Sequence, residues 1–239
     1  DAPAGKPARM HDKPAGRGVE HAPHAGALRA AAEICWRRAM VAKVFIDGEA
    51  GTTGLQIRER LSRRRDLELI SIPADKRKDL SARADCLNGA DIAVLCLPDD
   101  AASEAVALAN GDASIRFIDA STAHRVDDSW VYGFPELTTV QRGMIAASSR
   151  ITNPGCYPTG FLGLIAPLRQ AGYLPSLAHL SAVCVSGYSG GGKTMIARYE
   201  DKGETAFAAY GLHLSHKHLP EMKQPCRSYT CACISAKRG

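Results

Sequence analysis

The sequence predicts an α/β protein with a doubly wound parallel sheet in its N-terminal half, on three observations. Short apolar runs recur at Val41–Asp47, Leu67–Ile72, Asp91–Leu97 and Ile115–Asp119, each of strand length. Helical patterns separate them, and strands joined through helices must cross over and run parallel. A glycine-rich turn follows the first run directly and opens a helical pattern at Leu55, Ile57 and Leu61.

The chain has 239 residues, 45% hydrophobic and 23% charged, which suits one large or two small globular domains. No apolar run reaches the length of a membrane span, so no membrane partner is expected. The eight cysteines (35, 86, 96, 156, 184, 226, 231 and 233) form neither a disulfide framework nor a zinc-type Cys-x-x-Cys spacing. A reducing, cytoplasmic compartment and no metal are the corresponding expectations. The net charge of +5 resides in the ends: residues 1–39 carry +3 and residues 224–239 another +3, leaving −1 for residues 40–223. That distribution gives no basis for a nucleic-acid partner.

Residues 1–39 are rich in Ala, Gly, Pro, His and Arg and contain no Ser or Thr. They are expected to be disordered, apart from a short Ala-rich helix around Leu28–Arg38. A transit peptide is disfavoured by the absence of Ser and by Glu20 and Glu33. Met40, immediately before the first strand, is the expected natural start.

The turn after that strand reads Gly48-Glu49-Ala50-Gly51-Thr52-Thr53-Gly54, a G-x-x-G-x-x-G variant of the Rossmann dinucleotide-binding turn. Glycines allow a pyrophosphate close to the backbone, and the helix N-terminus supplies N–H donors to it. Gly48, Gly51, Thr52, Thr53 and Gly54 are therefore expected to bind cofactor. The second strand ends without the acid that usually selects NAD, and Asp75-Lys76-Arg77-Lys78 follows. Lys76 and Arg77 suit a ribose 2′-phosphate, so the expected cofactor is NADP(H), although a solvated charged turn would read the same way. Pro98 and Ser121 follow the third and fourth strands, where open α/β sheets bind ligands.

Downstream, Gly133–Leu137 reads as a turn before a short strand at Met144–Ser148. Asn153-Pro154-Gly155-Cys156-Tyr157-Pro158-Thr159 then places a cysteine between a Pro-Gly turn and an apolar helical run, Gly160–Leu168. Pro158 fits the first turn of that helix. Free cysteines are usually small core residues. At a helix N-terminus, however, the backbone N–H groups and macrodipole favour a thiolate, and hence a nucleophile. A further strand is expected at Ser181–Ser186, and His216 and His218 would share one side of an extended segment.

Between them, Gly187–Thr194 satisfies the P-loop pattern G-x-x-x-x-G-K-[ST], so a P-loop NTPase is the reading from another class. Only 45 residues follow it, with no apolar strand ending in Asp to hold magnesium. Its glycine-rich backbone and Lys193 still make an anion cradle.

A nucleophilic cysteine, downstream histidines, an NADP-type site and an anion cradle define one reaction class. Thiolate attack on an activated acyl group gives a thioester, which hydride reduces to an aldehyde. With phosphate as leaving group, the enzyme is a phosphorylating aldehyde dehydrogenase run in reverse.

The chain resembles the N-acetyl-γ-glutamyl-phosphate reductases of arginine biosynthesis, in the shorter of that family's two forms. The matching stretches are Lys43–Gly54, Leu95–Ala101, Ile118–Arg125, Gly133–Leu137, Asn153–Thr159, Ser186–Lys193 and His216–Glu221. The resemblance implies Cys156 as nucleophile, and His218 or His216 as its acid–base partner. The anion cradle of Lys193 with Gly190 and Gly191 is expected to hold the substrate's phosphoryl group or carboxylate, with Asn153 and Ser189 also at the substrate. The resemblance also implies a Rossmann domain over residues 40–152 and an α+β catalytic domain of the semialdehyde-dehydrogenase type over 153–223. That second domain is expected to be incomplete, because 224–239 reads as an atypical tail. A homo-oligomer is implied for the complete protein. Aspartate-semialdehyde dehydrogenase is a more distant match, and an inactive fragment is the remaining alternative.

Overall fold

The structure is a computed structural model that describes residues 41–77, 79–109, 114–175, 178–201 and 211–223. The expectations for residues 1–39 and 224–239, and for Lys78, lie outside the described residues.

Six parallel strands form one sheet in the order β2-β1-β3-β4-β6-β5. They are β1 Ala42–Asp47, β2 Leu67–Ile70, β3 Ile92–Leu95, β4 Arg116–Asp119, β5 Val131–Tyr132 and β6 Arg150–Thr152. The helices are α1 Thr52–Leu61, α2 Leu80–Asn88, α3 Asp99–Leu108, α4 Gln141–Ala147, α5 Cys156–Gln170, α6 Gly192–Asp201 and α7 Leu219–Lys223.

Strand alternation assigns β1 to two cores. Phe45 faces α2 and α3, in a cluster with Leu87, Ala93, Leu95, Ala102 and Ala105. Val44 and Ile46 face α1, against Ile57 and Leu61. Helices thus cover both faces, which is why Val44, Phe45 and Ile46 are apolar and buried in succession. The predicted periodicity of α1 fails at one position, since Leu55 is 54% exposed. Asp79 caps α2, its carboxylate accepting from Ser81 N at 2.9 Å and Ala82 N at 3.4 Å. Such a cap contributes about 0.5–2 kcal/mol.

β2 leaves β1 on one side and β3 leaves it on the other, so the order reverses between β1 and β3. Loops at the carboxyl ends beside that reversal form the binding crevice of this architecture. A smaller apolar cluster of Leu137, Phe161, Leu162 and Met222 joins α5 to α7 and draws in Tyr132, Phe134 and Tyr157. It fixes the short α7 against the helix that Cys156 opens.

Three sequence expectations are corrected. Met144–Ser148 belongs largely to α4, and the strand comes later, at β6. A short run such as Met-Ile-Ala-Ala has no periodicity to separate strand from helix, and it is joined here to Gln141 and Arg142, which form helices well. Ser181–Ser186 is not a strand: Val183 is 99% exposed, and no strand among the described residues lies beside it. Without a neighbour, a strand's N–H and C=O groups have no ladder to join. His216 and His218 lie on a turn entering α7 rather than on an extended segment, yet their ring centroids are 4.7 Å apart. Among the described residues, no helix is long and apolar enough to cross a membrane.

Candidate active site

The glycine-rich turn fits a dinucleotide. Gly48 has φ +85°, and a Cβ there would lie 2.3 Å from the Cys96 carbonyl oxygen, so only glycine is accommodated. Gly51 N donates to Gly48 O at 2.9 Å and is the N-cap of α1, without a side-chain cap. Thr52, Thr53 and Gly54 form the first turn, whose N–H groups suit a pyrophosphate. A cleft of about 200 Å³ beside this turn is lined by Gly48, Glu49, Ala50, Arg77, Arg83 and Leu97.

Arg83 was not singled out from the sequence. It reaches from α2 to donate to Asp47 Oδ2 at 2.6 Å, Glu104 Oε2 at 2.8 Å and Ala101 O at 2.8 Å. Burial pushes the Asp47 carboxyl up, and the Arg83 guanidinium opposes that shift. Arg77 lies 3.8 Å from Glu49, whereas Lys76 is an exposed residue of the 3-10 turn Ala74–Lys76. Pro98 caps the start of α3. Ser121 is buried, its hydroxyl donating to Asp119 Oδ2 at 2.7 Å and its N–H to Oδ1 at 2.9 Å. His124 Nδ1 stands 2.7 Å from the same Oδ2, and its ring stacks on Trp130 at 4.2 Å.

The cysteine turn leaves the sheet next door. Asn153 N donates to Asp119 O at 2.6 Å, carrying the chain from β6 past the end of β4. Cys156 is exposed and is the first residue of α5, at the helix N-terminus as expected, with Pro158 in the first turn. Its N-cap, Gly155, is packed on three sides. A Cβ there would lie 2.7 Å from Arg125 Nη1, 2.8 Å from Glu221 Oε2 and 2.9 Å from His218 Nε2.

Glu221 organises this corner. Only 2% exposed, it accepts from Gly155 N at 2.6 Å, Tyr132 OH at 2.8 Å and Arg125 Nη1 at 3.0 Å. Arg125 also donates to Ala120 O at 2.9 Å, tying the corner to β4. One turn earlier, His218 is 7% exposed, and its Nδ1 has no hydrogen-bond partner. Burial, then His216, Arg125 and Lys217, push its imidazole down to about 4, so it is neutral near pH 7. His218 therefore brings no positive charge to the thiol near pH 7. Tyr157 stands edge-on to both histidine rings, at 5.7 and 5.9 Å.

The structure thus brings Cys156, His216 and His218 to one corner. It takes Lys193 elsewhere: Nζ donates to Ala50 O at 3.0 Å, joining the second glycine-rich segment to the first. Ser189, Gly190 and Gly191 occupy the 3-10 turn Tyr188–Gly191 leading into α6. The described residues leading into that turn, 178–187, form no strand, so the strand–loop–helix context of a P-loop is not met. Arg125, Tyr132 and Glu221 were missed as site residues. Arg125 and Glu221 stood inside matched stretches, but a pairing across 96 positions leaves no signal in local spacing.

Two family models match, "Semialdehyde dehydrogenase, NAD binding domain" at residues 43–142 and "Semialdehyde dehydrogenase, dimerisation domain" at 156–236. The chain belongs to the semialdehyde dehydrogenase family. Among curated relatives, the N-acetyl-gamma-glutamyl-phosphate reductase of Chelativorans sp. (strain BNC1) is 58% identical over 186 residues, 77% of this chain and 60% of its own. That of Sinorhizobium fredii (strain NBRC 101917 / NGR234) is 55% identical over 189 residues, 77% of this chain and 61% of its own. The chain therefore spans about three fifths of the length of these relatives. Among solved structures, the aspartate semialdehyde dehydrogenase of Francisella tularensis matches with a TM-score of 0.51 at 17% identity. It covers 70% of this chain and 52% of its own, and shows a semialdehyde dehydrogenase fold alone.

Proposed function

We propose that the protein reduces N-acetyl-γ-glutamyl phosphate to N-acetylglutamate 5-semialdehyde and phosphate, with NADPH as reductant, in arginine biosynthesis. The observation that carries this reading is the packing of the His218 ring against Gly155, immediately before the exposed Cys156 at the start of α5. The two relatives bear that reductase name.

His218, neutral near pH 7, accepts the Cys156 proton. The thiolate adds to the acyl carbon, and phosphate leaves with the electron pair of the broken C–O bond. Bound at the glycine-rich turn by Gly48, Gly51, Thr52, Thr53 and Gly54, NADPH would supply a hydride to the thioester carbon. The imidazolium returns its proton to the resulting oxygen. As the C–S bond breaks, it carries that proton to sulfur and releases the aldehyde. His216 sits beside it as a substrate contact with Asn153, while Lys193, held on Ala50 O, would meet the substrate's anionic group from the first glycine-rich turn, with Ser189, Gly190 and Gly191.

Residues 40–152 serve as the cofactor domain and 153–223 as the catalytic one. The "dimerisation domain" match supports a homo-oligomer, and the unframed cysteines support a cytoplasmic location. Phosphate-dependent NADP⁺ reduction by N-acetylglutamate semialdehyde tests the function, with aspartate semialdehyde as the competing substrate. Activity abolished by Cys156→Ser supports it; ATP hydrolysis that survives Cys156→Ser would sink it.

A further inference from the structure

Glu49 sits in the glycine-rich turn with its carboxylate already taken. Arg58 on α1 and Ser71 just beyond β2 both donate to Oε2, the serine at 3.0 Å, and Arg77 stands 3.8 Å from Oε1. Arg58 Nη1 also donates to Ser71 Oγ at 2.5 Å. Two guanidinium groups and a hydroxyl converge on one carboxylate at the carboxyl end of β2. That is where this architecture reads the ribose 2′ position. The three donors form an anion site, and the anion inside it belongs to the chain itself.

Two properties make the occupant replaceable. Arg58 and Arg77 have side chains 43% and 50% exposed, and ion pairs at such exposure hold weakly. A phosphomonoester brings a charge of about −1.5 to −2 and three acceptor oxygens, which arginine forks match better than a single carboxylate does. The two anions cannot share the site, because like charges at contact repel strongly.

We propose that Glu49 is an internal occupant of the site for the cofactor's 2′-phosphate. NADPH then binds by exchanging one anion for another, and Glu49 sets the discrimination between phosphorylated and unphosphorylated ribose. This rests on the dinucleotide reading above. It moves the recognition of the phosphate from Lys76 to Arg58, Ser71 and Arg77.

Calorimetric titration of the full chain with adenosine 2′,5′-bisphosphate and with ADP tests the exchange without any turnover. Glu49→Gln should bind the bisphosphate about tenfold more tightly or better, with ADP changed by less than about twofold, since only the 2′-phosphate meets the lost charge. Arg58→Met should weaken the bisphosphate by about tenfold and spare ADP, since it removes a charge-assisted contact. Unchanged affinities in Glu49→Gln, or equal weakening of both ligands, would overturn the exchange while leaving the nucleotide site intact. Failure of the unmodified protein to bind either compound would overturn both readings. If Glu49→Gln does not fold, Arg58→Met decides, and equal loss of the two ligands overturns the proposal.

Discussion

The backbone N–H of Gly155 donates to Glu221 Oε1 at 2.6 Å, so a carboxylate on α7 holds the residue before Cys156. The same carboxylate binds Tyr132 on β5 and Arg125 after β4, making three parts of the chain meet at one buried charge. Removing that charge strands a buried guanidinium. Glu221→Ala should lower unfolding stability by about 3–5 kcal/mol, the usual cost of breaking a buried pair. Glu221→Gln keeps an acceptor for Gly155 but turns N–H toward Arg125, and should lose less. Urea denaturation of the two variants measures both, and equal stability of Glu221→Ala and the parent would contradict the geometry.

The close packing around Gly155 gives a test with an internal control. Gly155→Ala places a methyl within 2.7–2.9 Å of Arg125, Glu221 and His218. Overpacking of that kind costs about 1–3 kcal/mol, and here it displaces the histidine as well, so turnover should fall with stability. Gly160, in the same helix, has nothing within 4 Å of the equivalent Cβ. Gly160→Ala should stabilise by about 0.5–1 kcal/mol and leave turnover unchanged. Thermal melts and initial rates of the pair give the comparison.

His218 makes stability pH-dependent with a definite sign. Its folded value is depressed to about 4 from 6.5, so between those values the unfolded chain binds a proton that the folded one refuses. Stability should therefore be intact above about pH 6.5 and fall by about 3 kcal/mol on going down to pH 4, then level off. His218→Gln should flatten that part of the profile. A base that stays neutral to such low pH also predicts that kcat/KM holds on the acid side to about pH 5. An acid limb near pH 6.5 would instead indicate a solvated imidazole.

The first four strands were legible because helices cover both faces of the sheet, leaving short apolar runs that alternate with helical patterns and turn signals. The cysteine turn was legible because Pro, Gly and a following apolar run mark a helix start. β5 was not, since two residues carry no periodicity, and α4 passed for a strand for the same reason. Ser181–Ser186 has a strand's composition, but pairing depends on a neighbour and not on the segment itself. The histidine pair could be found by position, yet the sign of the His218 shift depends on burial that no spacing encodes. Glu49 carries no signal in the sequence, because its three donors come from α1, the residue after β2 and the residue after the 3-10 turn.

Thiol reactivity separates Cys156 from its neighbours. Burial, then Asp119 and Asp47, push the Cys96 thiol up to about 11, while Cys156 and Cys184 are exposed. Iodoacetamide near pH 7.5 should label Cys156 and Cys184 and spare Cys96, since only thiolates react and few form so far below that value. Peptide mapping after timed alkylation reads this directly. Labelling of Cys96 at the rate of Cys156 would contradict the burial seen at the end of β3.

Lys193 tests whether the second glycine-rich segment handles anions or only braces the first. Its ammonium donates to Ala50 O at 3.0 Å, which uses one of three donors and leaves two for a ligand. Lys193→Met should raise the KM for phosphate in the reverse reaction by about tenfold, the scale of a lost charge-assisted hydrogen bond, with kcat little changed. Lys193→Arg should restore most of that loss because it keeps the charge. Alkylation of Cys156 should proceed at the parent rate in both variants, since Lys193 contacts the cofactor turn and not the cysteine turn. Unchanged phosphate kinetics in Lys193→Met, with a lowered melting temperature, would make Lys193 a tether between the two glycine-rich segments and nothing more.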